Sequence, residues 1–477
     1  MAKLQLTVII MGAGQVGQGL ARRLTKEGHQ VKIIDANTTL LAEIENHVDA
    51  MCIAGNGASA QVLIDAGIQN ADLFIGVSDN DECNMVSASL AKQFNVTTAI
   101  ARVRNEEYLV PDRALYADAM HMDLIINPDE VASLELHDLL MIPMANSVAE
   151  FAEGRLKLIG FQVKPESLLC GKALKELPKL GYDETLLFAC VVRSGDVVVP
   201  RGDTIVNAGD QVYVITSPSA YGYLSELGGV KDATLKKVVV VGASRAAFFL
   251  AERLEAAGVH LIIIEEDEAR CELFADLLQE ATILHGDGTD MSMLKEAGVR
   301  DADGFIASSQ DDETNILAAL LAKQEGAKRV ISITRKPQYI PLLRFIEPID
   351  VAINPRLSTI NAIMRFVRKG KTLSMTTLAD DRAEAIELEV VETSPLVGKK
   401  LKENPFPQNV LLGAIVRGDE IIIPKGEDAL LAGDHAIMIA LSESVGKLDD
   451  LFADQEKNGW RSMMKKAAQN LTTNGKS

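Results

Sequence analysis

The chain has 477 residues, of which 47% are hydrophobic and 24% are charged. This composition is typical of packed globular proteins, and the length predicts three or four domains. The formal net charge of −19 repels phosphate backbones, which argues against a nucleic-acid partner. The apolar runs are strand-length, shorter than the ~20 residues that span a bilayer, and the start resembles no secretion signal. We therefore expect a cytoplasmic location.

The five cysteines lie far apart and form no CxxC pair: Cys52, Cys83, Cys170, Cys190 and Cys271. An odd number at wide spacing indicates neither a zinc site nor a disulfide framework. We predict five buried thiols and no metal site.

The second half of the chain repeats the first. Gly12-Ala13-Gly14 aligns with Gly242-Ala243-Ser244, and Asp81-Glu82-x-Asn84 aligns with Asp312-Glu313-x-Asn315. A smaller downstream module also occurs twice. We therefore predict four domains in the order A–B–A–B and a tail. Their predicted bounds are 1–132, 133–228, 235–360, 361–455 and 456–477.

In the first A unit, short β-branched runs alternate with helical patterns, which is typical of βαβ units on a parallel sheet. Six strands are predicted: Thr7–Met11, Val31–Ile34, Ala50–Ala54, Leu73–Val77, Thr98–Val103 and Leu124–Ile126. After the first strand, Val16, Leu20 and Leu24 recur at spacing four and predict a helix with one buried face. The fold class is therefore α/β, with tandem Rossmann-type sheets.

The B units show alternating apolar residues, at Phe188–Val192, Val197–Val199 and Gln211–Ile215, separated by turn pairs such as Ser194-Gly195. This pattern predicts β-hairpins. Each B unit is therefore expected to be a small β-rich sandwich, stabilised by packing on its neighbour.

The motif Gly12-x-Gly14-x-x-Gly17 follows an apolar strand and opens a helix, the context of a dinucleotide-binding turn. Gly12 permits the tight turn, Gly14 lets backbone amides approach a pyrophosphate, and Gly17 lets the helix pack closely. The helix start, with Ala13, Gln15 and Val16, adds positive partial charge. A tight turn without a ligand is the alternative.

Asp35 ends the second strand, where a carboxylate can accept hydrogen bonds from ribose hydroxyls. It would repel a 2′-phosphate, and no arginine follows it, so NAD or ATP fits better than NADP.

Further candidates follow the later strands. Gly55-Asn56 and Ser78-Asp79 follow the third and fourth strands, at the edge where open α/β sheets bind ligands. Helix capping is an alternative role for the stretch Ser78-Asp79-Asn80-Asp81. Arg102 lies within the fifth strand, where a buried cation needs a phosphate or a carboxylate such as Asp79 as its partner.

The second A unit departs from this pattern. Ser244 and Ala247 replace the second and third glycines, and Ile333 stands in the position of Arg102, while Glu265 keeps the acidic position. A nucleotide could still reach Gly242, Ala243 and Ser244, so these residues and Glu265 remain candidates for a weaker or altered site. The two halves are not expected to be equivalent.

The tandem order, with Gly12-Ala-Gly14-Gln-Val-Gly17, Asp35, Asp81-Glu82-x-Asn84 and Ala-Arg102-Val-Arg104, resembles the TrkA family over about residues 5–450. These are peripheral nucleotide-binding subunits of Trk potassium-uptake systems, built from two RCK domains. The resemblance implies a homo-oligomeric ring, dimeric or tetrameric, docked on a TrkH- or TrkG-like membrane subunit. It also implies that NAD(H), ATP or ADP contacts Gly12–Val16, Asp35, Ser78-Asp79 and Arg102.

Two other functions remain open. An NAD-dependent dehydrogenase would need a general acid or base beside the nicotinamide. The nearest histidines, His121 and His137, are better explained as surface or capping residues, and no catalytic motif is recognisable, so we predict no enzyme activity. A nucleotide sensor acting on another partner would share every sequence feature of a protein that gates a membrane potassium subunit, which is the role that the resemblance implies.

Overall fold

The computed structural model describes residues 5–108, 113–180, 186–230, 234–336, 338–343, 349–367, 372–378, 382–404, 406–407, 409–445, 448 and 452. The chain divides into two compact units, each built from two separate segments. The first unit joins Met1–Leu140 to Thr234–Val367, and the second joins Met141–Ala233 to Arg368–Ser477. The predicted tail at 456–477 lies outside the described residues. Within the described residues, no helix is long and apolar enough to cross a membrane.

The first unit begins with the predicted six-stranded parallel sheet, and its strand order is β3-β2-β1-β4-β5-β6. The strands are β1 Thr7–Met11, β2 Gln30–Asp35, β3 Met51–Ala54, β4 Leu73–Gly76, β5 Thr98–Arg102 and β6 Leu124–Ile126. The helices are α1 Gln15–Lys26, α2 Thr38–Glu45, α3 Ala60–Asp65, α4 Asp81–Gln93, α5 Arg113–Ala119 and α6 Pro128–Met141. The strand order reverses between β1 and β4, so a ligand crevice forms at their carboxyl ends.

The first copy of the small module opens the second unit. Its strands are β7 Ser147–Phe151, β8 Leu156–Gln162, β9 Lys172–Ala173, β10 Leu187–Arg193, β11 Asp196–Val198, β12 Ile205–Val206 and β13 Gln211–Thr216, followed by α7 Tyr221–Leu227. Five strands pair antiparallel in the order β11-β10-β13-β8-β7. Ser194 and Gly195, at φ +49° and +91°, form the predicted hairpin turn, because a two-residue turn of this kind matches the twist of the strands.

A second six-stranded parallel sheet completes the first unit, in the order β16-β15-β14-β17-β18-β19. Its strands are β14 Lys237–Val241, β15 His260–Glu265, β16 Thr282–His285, β17 Gly304–Ala307, β18 Val330–Ile333 and β19 Val351–Ile353. Its helices are α8 Arg245–Ala256, α9 Glu268–Leu277, α10 Met291–Glu296, α11 Asp312–Glu325, α12 Tyr339–Leu343 and α13 Pro355–Val367.

The last helix of each Rossmann fold packs on the other fold. Ile360, Ile363 and Met364 of α13 are buried in the core of the first fold, among residues of β1 and α1. In return, Leu140 of α6 lies so close to Gly304 of β17 that a Cβ there would be 2.5 Å from it. The two folds therefore share their cores and form one unit.

The second copy of the small module completes the second unit, with β20 Thr372–Leu378, β21 Ala383–Glu389, β22 Val410–Arg417, β23 Glu420–Ile422 and β24 His435–Leu441. Its five-stranded antiparallel sheet shares one core with the first copy. Ile215 of β13 approaches Gly413 of β22, where a Cβ would be only 2.5 Å from the isoleucine. Apolar packing therefore joins the two copies to each other, and the second copy also has a buried cluster made only of its own residues.

The prediction of five buried thiols is wrong for four of them. Only Cys190 is buried, in the core shared by the two small sheets, and burial raises the pKa of its thiol to about 12. Cys52, Cys83, Cys170 and Cys271 are half-buried, because each lies near the end of an element or in a connection.

Candidate functional site

The glycine-rich turn after β1 has the geometry that its residues predict. Gly12 lies at φ +112°, and a Cβ there would be 2.6 Å from the amide nitrogen of Ser78. A Cβ on Gly17 would be 1.9 Å from the carbonyl oxygen of Gly12, so both glycines are required by close backbone approach. The Gly12 amide donates to the Ile34 carbonyl (2.9 Å), which fixes the turn to β2.

The start of α1 is open. Gly14 is the N-cap residue, and no side chain caps the helix among the described residues. A Cβ on Gly14 would meet no atom within 4 Å, so the space beside this N-cap residue is open. Uncapped amides at a helix N-terminus carry positive partial charge and favour an anion.

Asp35 lies beside this turn but has a further role. Its Oδ2 accepts from the Ala13 amide (2.6 Å), and its Oδ1 accepts from the Asn37 amide (2.7 Å). Each carboxylate oxygen retains a second lone pair that can accept a ribose hydroxyl. Asp35 therefore both holds the glycine turn and faces the crevice.

Gly55 and Asn56 lie next to Asp35 at the same edge of the sheet. The Gly55 amide donates to the Asp35 carbonyl (2.9 Å), which ties the end of β3 to the end of β2. Asn56 accepts from the Ala58 amide (3.0 Å) and is exposed, so its side chain shapes the turn at the rim of the crevice. The structure thus brings the predicted residues of three strand ends together.

Ser78 and Asp79 follow β4, but neither caps α4. The N-cap is Asn80, whose side chain accepts from the Cys83 amide (2.6 Å). Ser78 donates its hydroxyl to Asn84 (2.8 Å), and Asp79 extends into solvent. Within the stretch Ser78-Asp79-Asn80-Asp81, for which capping was the alternative role, Asn80 is therefore the residue that caps α4.

Arg102 is the most unusual group at this edge. Its side chain is nine-tenths buried, and its Nη1 lies 3.3 Å from the Ser78 carbonyl and 3.4 Å from the Asp79 carboxylate. Its Nε has no hydrogen-bond partner among the described residues. Burial, with the nearby Arg104, lowers the pKa of the guanidinium, and Asp79 offsets this in part. A buried guanidinium with an unsatisfied donor favours an anionic ligand.

Asn84 is the residue whose role sequence reasoning missed. It is fully buried; its Oδ1 accepts from the Ser78 amide, and its Nδ2 donates to the carbonyls of Ser78 and Arg102 (2.9 Å each). It therefore holds the ends of β4 and β5 together. Asn315 makes the matching bonds to Ser309 and Ile333, so the repetition of the motif was a signal for this role.

The second Rossmann fold has the same frame with a different helix start. Gly242 lies at φ +96°, and the Ala243 amide donates to the buried Glu265 carboxylate (2.5 Å). Ser244 differs from Gly14, because its hydroxyl accepts from the Ala247 amide (3.2 Å) and bonds to the hydroxyl of Ser308 (2.5 Å). The second helix start therefore caps itself.

The rest of the second edge is also occupied by side chains. Gln310 stands in the position of Asp79. Its amide oxygen is oriented towards the Arg270 guanidinium and accepts a hydrogen bond from it (2.7 Å). Ile333 carries no charge, and Arg335 instead reaches the Ser309 carbonyl through Nη1 (2.8 Å). The open helix start and the buried arginine of the first fold therefore have no full counterpart in the second fold.

The domain content defines the class of protein. The TrkA-N domain profile matches residues 8–128 and 238–355, and the TrkA-C domain profile matches residues 158–227 and 385–453. The chain is thus a tandem TrkA-N and TrkA-C protein, as the sequence resemblance predicted.

Full-length relatives identify the family. The chain is 33% identical to "Trk system potassium uptake protein TrkA homolog 1" of Methanosarcina mazei, over 94% of this chain and 100% of that protein. It is 34% identical to "Trk system potassium uptake protein TrkA" of Haemophilus influenzae, over 94% and 98% of the two chains. The chain belongs to the TrkA family.

Solved structures share the fold. The "GsuK channel bound to NAD" matches with a TM-score of 0.60 at 18% identity, over 95% of this chain and 80% of that one. The GsuK RCK domain matches with a TM-score of 0.58 at 19% identity, over 95% and 96% of the two chains. The predicted α/β fold built from RCK-type domains is therefore confirmed.

Proposed function

We propose that the first Rossmann fold binds an adenine nucleotide: NAD(H), ATP or ADP. The observation that carries this proposal is the uncapped start of α1 facing a crevice whose wall holds the buried, incompletely bonded Arg102. Both features are costly without an anion and favourable with one.

Each residue has a distinct proposed task. The amides of Gly14 to Gly17 and the open face of Gly14 hold the phosphates. The Ala13 amide stays bonded to Asp35, which accepts hydrogen bonds from the adenosine ribose. Arg102 adds charge from the wall, with Ser78 and Asp79 beside it, and Gly55-Asn56 forms the rim. The nucleotide supplies the negative charge and the ribose hydroxyls that these groups recognise.

The second fold is proposed to bind the same ligands more weakly. Gly242, Ala243 and Glu265 keep the turn, but a phosphate there must displace the hydroxyl of Ser244 from its own helix. That displacement opposes binding, since the amides are already partly satisfied.

The bound nucleotide is proposed to regulate potassium uptake. Membership of the TrkA family supports a regulatory subunit at the cytoplasmic face of a membrane potassium translocation subunit, acting as a homo-oligomer. The nucleotide would favour one arrangement of the two shared-core folds, and a coupling of ~1–3 kcal/mol per site is enough to bias the partner.

The proposal is tested by deletion and complementation. A strain without this protein is expected to grow poorly at low external potassium, and the wild-type chain is expected to restore growth. Its co-purification with a membrane potassium subunit should depend on added nucleotide. Normal growth of the deletion strain would contradict the gating role, and steady consumption of NADH by the purified chain with simple oxo-acids would favour the dehydrogenase.

A further inference from the structure

The start of α13, which belongs to the second half of the chain, lies at the glycine-rich turn of the first. The guanidinium of Arg356, the second residue of α13, donates through Nη1 to the Gln15 side-chain oxygen. Gln15 is the exposed first residue of α1, next to the open Gly14. A cation from 341 residues along the chain therefore stands at the helix end that we propose holds phosphate.

Further charges surround Arg356. Its Nη1 also donates to the Arg335 carbonyl (3.0 Å), and Arg335 and Arg104 are close enough that their positive charges act on each other. The acidic groups that face this cluster are Asp129, 3.6 Å from Arg104, and Asp312, which is hydrogen-bonded to the backbone of Arg335. Three guanidinium groups thus lie among two carboxylates, and the acceptor of Arg356 at the first glycine turn is a neutral amide oxygen.

We propose that Arg356 reads the terminal phosphates of a nucleotide held in the first Rossmann fold, so that the second half of the chain sets the preference for a nucleoside triphosphate over a monophosphate. This inference rests on the proposed nucleotide site. A phosphate oxygen replaces the Gln15 oxygen as the acceptor, so that both the donor and the acceptor of the bond are charged. A guanidinium fork also suits a terminal phosphate better than a point charge does.

The contact between Gln15 and Arg356 also explains how the binding of a terminal phosphate would affect the rest of the unit. Helices α1 and α13 meet along their length: a Cβ on Gly19 would be 2.4 Å from Ile360, and Arg23 donates to Asn361 (2.5 Å). A change of acceptor at Arg356 therefore acts on the first turn of a helix that is buried in the core of the other fold.

The test is calorimetric titration of the purified full chain with ATP and with AMP. We expect Arg356→Gln to weaken ATP binding about 10-fold and to change AMP binding less than about twofold. Arg356→Lys should recover part of the ATP affinity, because it keeps the charge but loses the fork. Arg253→Gln is the matched control, since Arg253 forms a cross-fold ion pair with Glu130 (3.9 Å) and, among the described residues, is hydrogen-bonded to no residue of the glycine turn. It should leave both affinities unchanged.

The outcomes separate this inference from the proposed site. A wild-type chain that binds neither nucleotide contradicts the site itself. The role of Arg356 is overturned if wild type binds ATP no more tightly than AMP, if Arg356→Gln leaves ATP binding unchanged, or if it weakens ATP and AMP equally. Thermal unfolding of each variant identifies the last result as a general disturbance of the helix pair.

Discussion

The two Rossmann folds share a frame and differ where a ligand would meet it. Both have a glycine at positive φ after the first strand, and in both an acidic side chain accepts a hydrogen bond from the amide that follows this glycine. Both also have a buried asparagine that joins two strand ends. At the helix start, however, Gly14 leaves the amides open, whereas Ser244 caps its own helix. The glycine turn and the acidic residue therefore define a fold, and the uncapped helix start distinguishes the proposed site.

The largest expected effect comes from Gly12→Ala. The new Cβ would meet the Ser78 amide at a positive φ, so the turn must move, and we expect unfolding free energy to fall by about 1–3 kcal/mol and NAD affinity about 100-fold. Gly242→Ala is the matched change in the second fold, where the Cβ would lie 2.5 Å from the Ser309 amide. It should lower stability similarly and leave tight binding intact. Equal loss of affinity in both variants, by calorimetry, would mean that the two folds are equivalent.

Asp35→Ala should weaken nucleotide binding by about 10-fold, because it removes the ribose acceptor and the support of the Ala13 amide. The control is Glu265→Ala, which removes the matching support of Ala243. If calorimetry finds the same affinity for wild type and Asp35→Ala, then Asp35 only holds the turn and does not contact the ligand.

Gly14→Ser gives α1 of the first fold the serine N-cap that α8 has in the second fold. No atom lies within 4 Å of the new Cβ, so the fold should be unchanged, but the hydroxyl can now cap the helix and compete with phosphate. We expect NAD affinity to fall about threefold to tenfold. Ser244→Gly should act in the opposite direction and strengthen any second binding event. Unaltered titration curves for both variants would show that capping does not distinguish the folds.

The smallest expected effect is on acid stability. In the second fold, Lys336 and Tyr339 donate to Glu313 and lower its pKa to about 2. In the first fold, Tyr108 is the one side-chain donor to Glu82 among the described residues, and the pKa of Glu82 is lowered less. A lowered pKa stabilises the folded state above the unfolded value near 4.5, and this stabilisation is lost as the pH falls towards 2.

Glu313→Gln should therefore lower Tm at pH 7, and its difference from wild type should shrink by pH 3. Because Glu313 is exposed, the change in Tm is expected to be small. Glu82→Gln should show the same trend with a smaller amplitude. A difference that grows as the pH falls would contradict the assignment.

The parallel sheets were predictable because strands buried on both faces leave continuous apolar runs, and all six predicted strands of the first fold are present. The glycine turn was predictable because only glycine fits its φ and its close contacts. Other contacts could not be predicted. Arg356 and Gln15 are 341 positions apart, and Ser358 and Glu135 are 223 positions apart, so no local sequence pattern encodes these pairs. The self-capping of Ser244 depends on a hydroxyl orientation, so the sequence could only indicate that the site differs. The domain bounds and the nucleotide contacts stay predictions.

The exchange of α6 and α13 between the folds has a consequence for how the two halves can diverge. When two identical chains pair in this way, every substitution enters both copies at once. Here both copies belong to one polypeptide, so Arg356 can occur without a second arginine at Asp129, and Ser244 can occur while Gly14 is retained. Two copies in one polypeptide can therefore diverge, so that one fold supports the pair and the other stays open to a ligand.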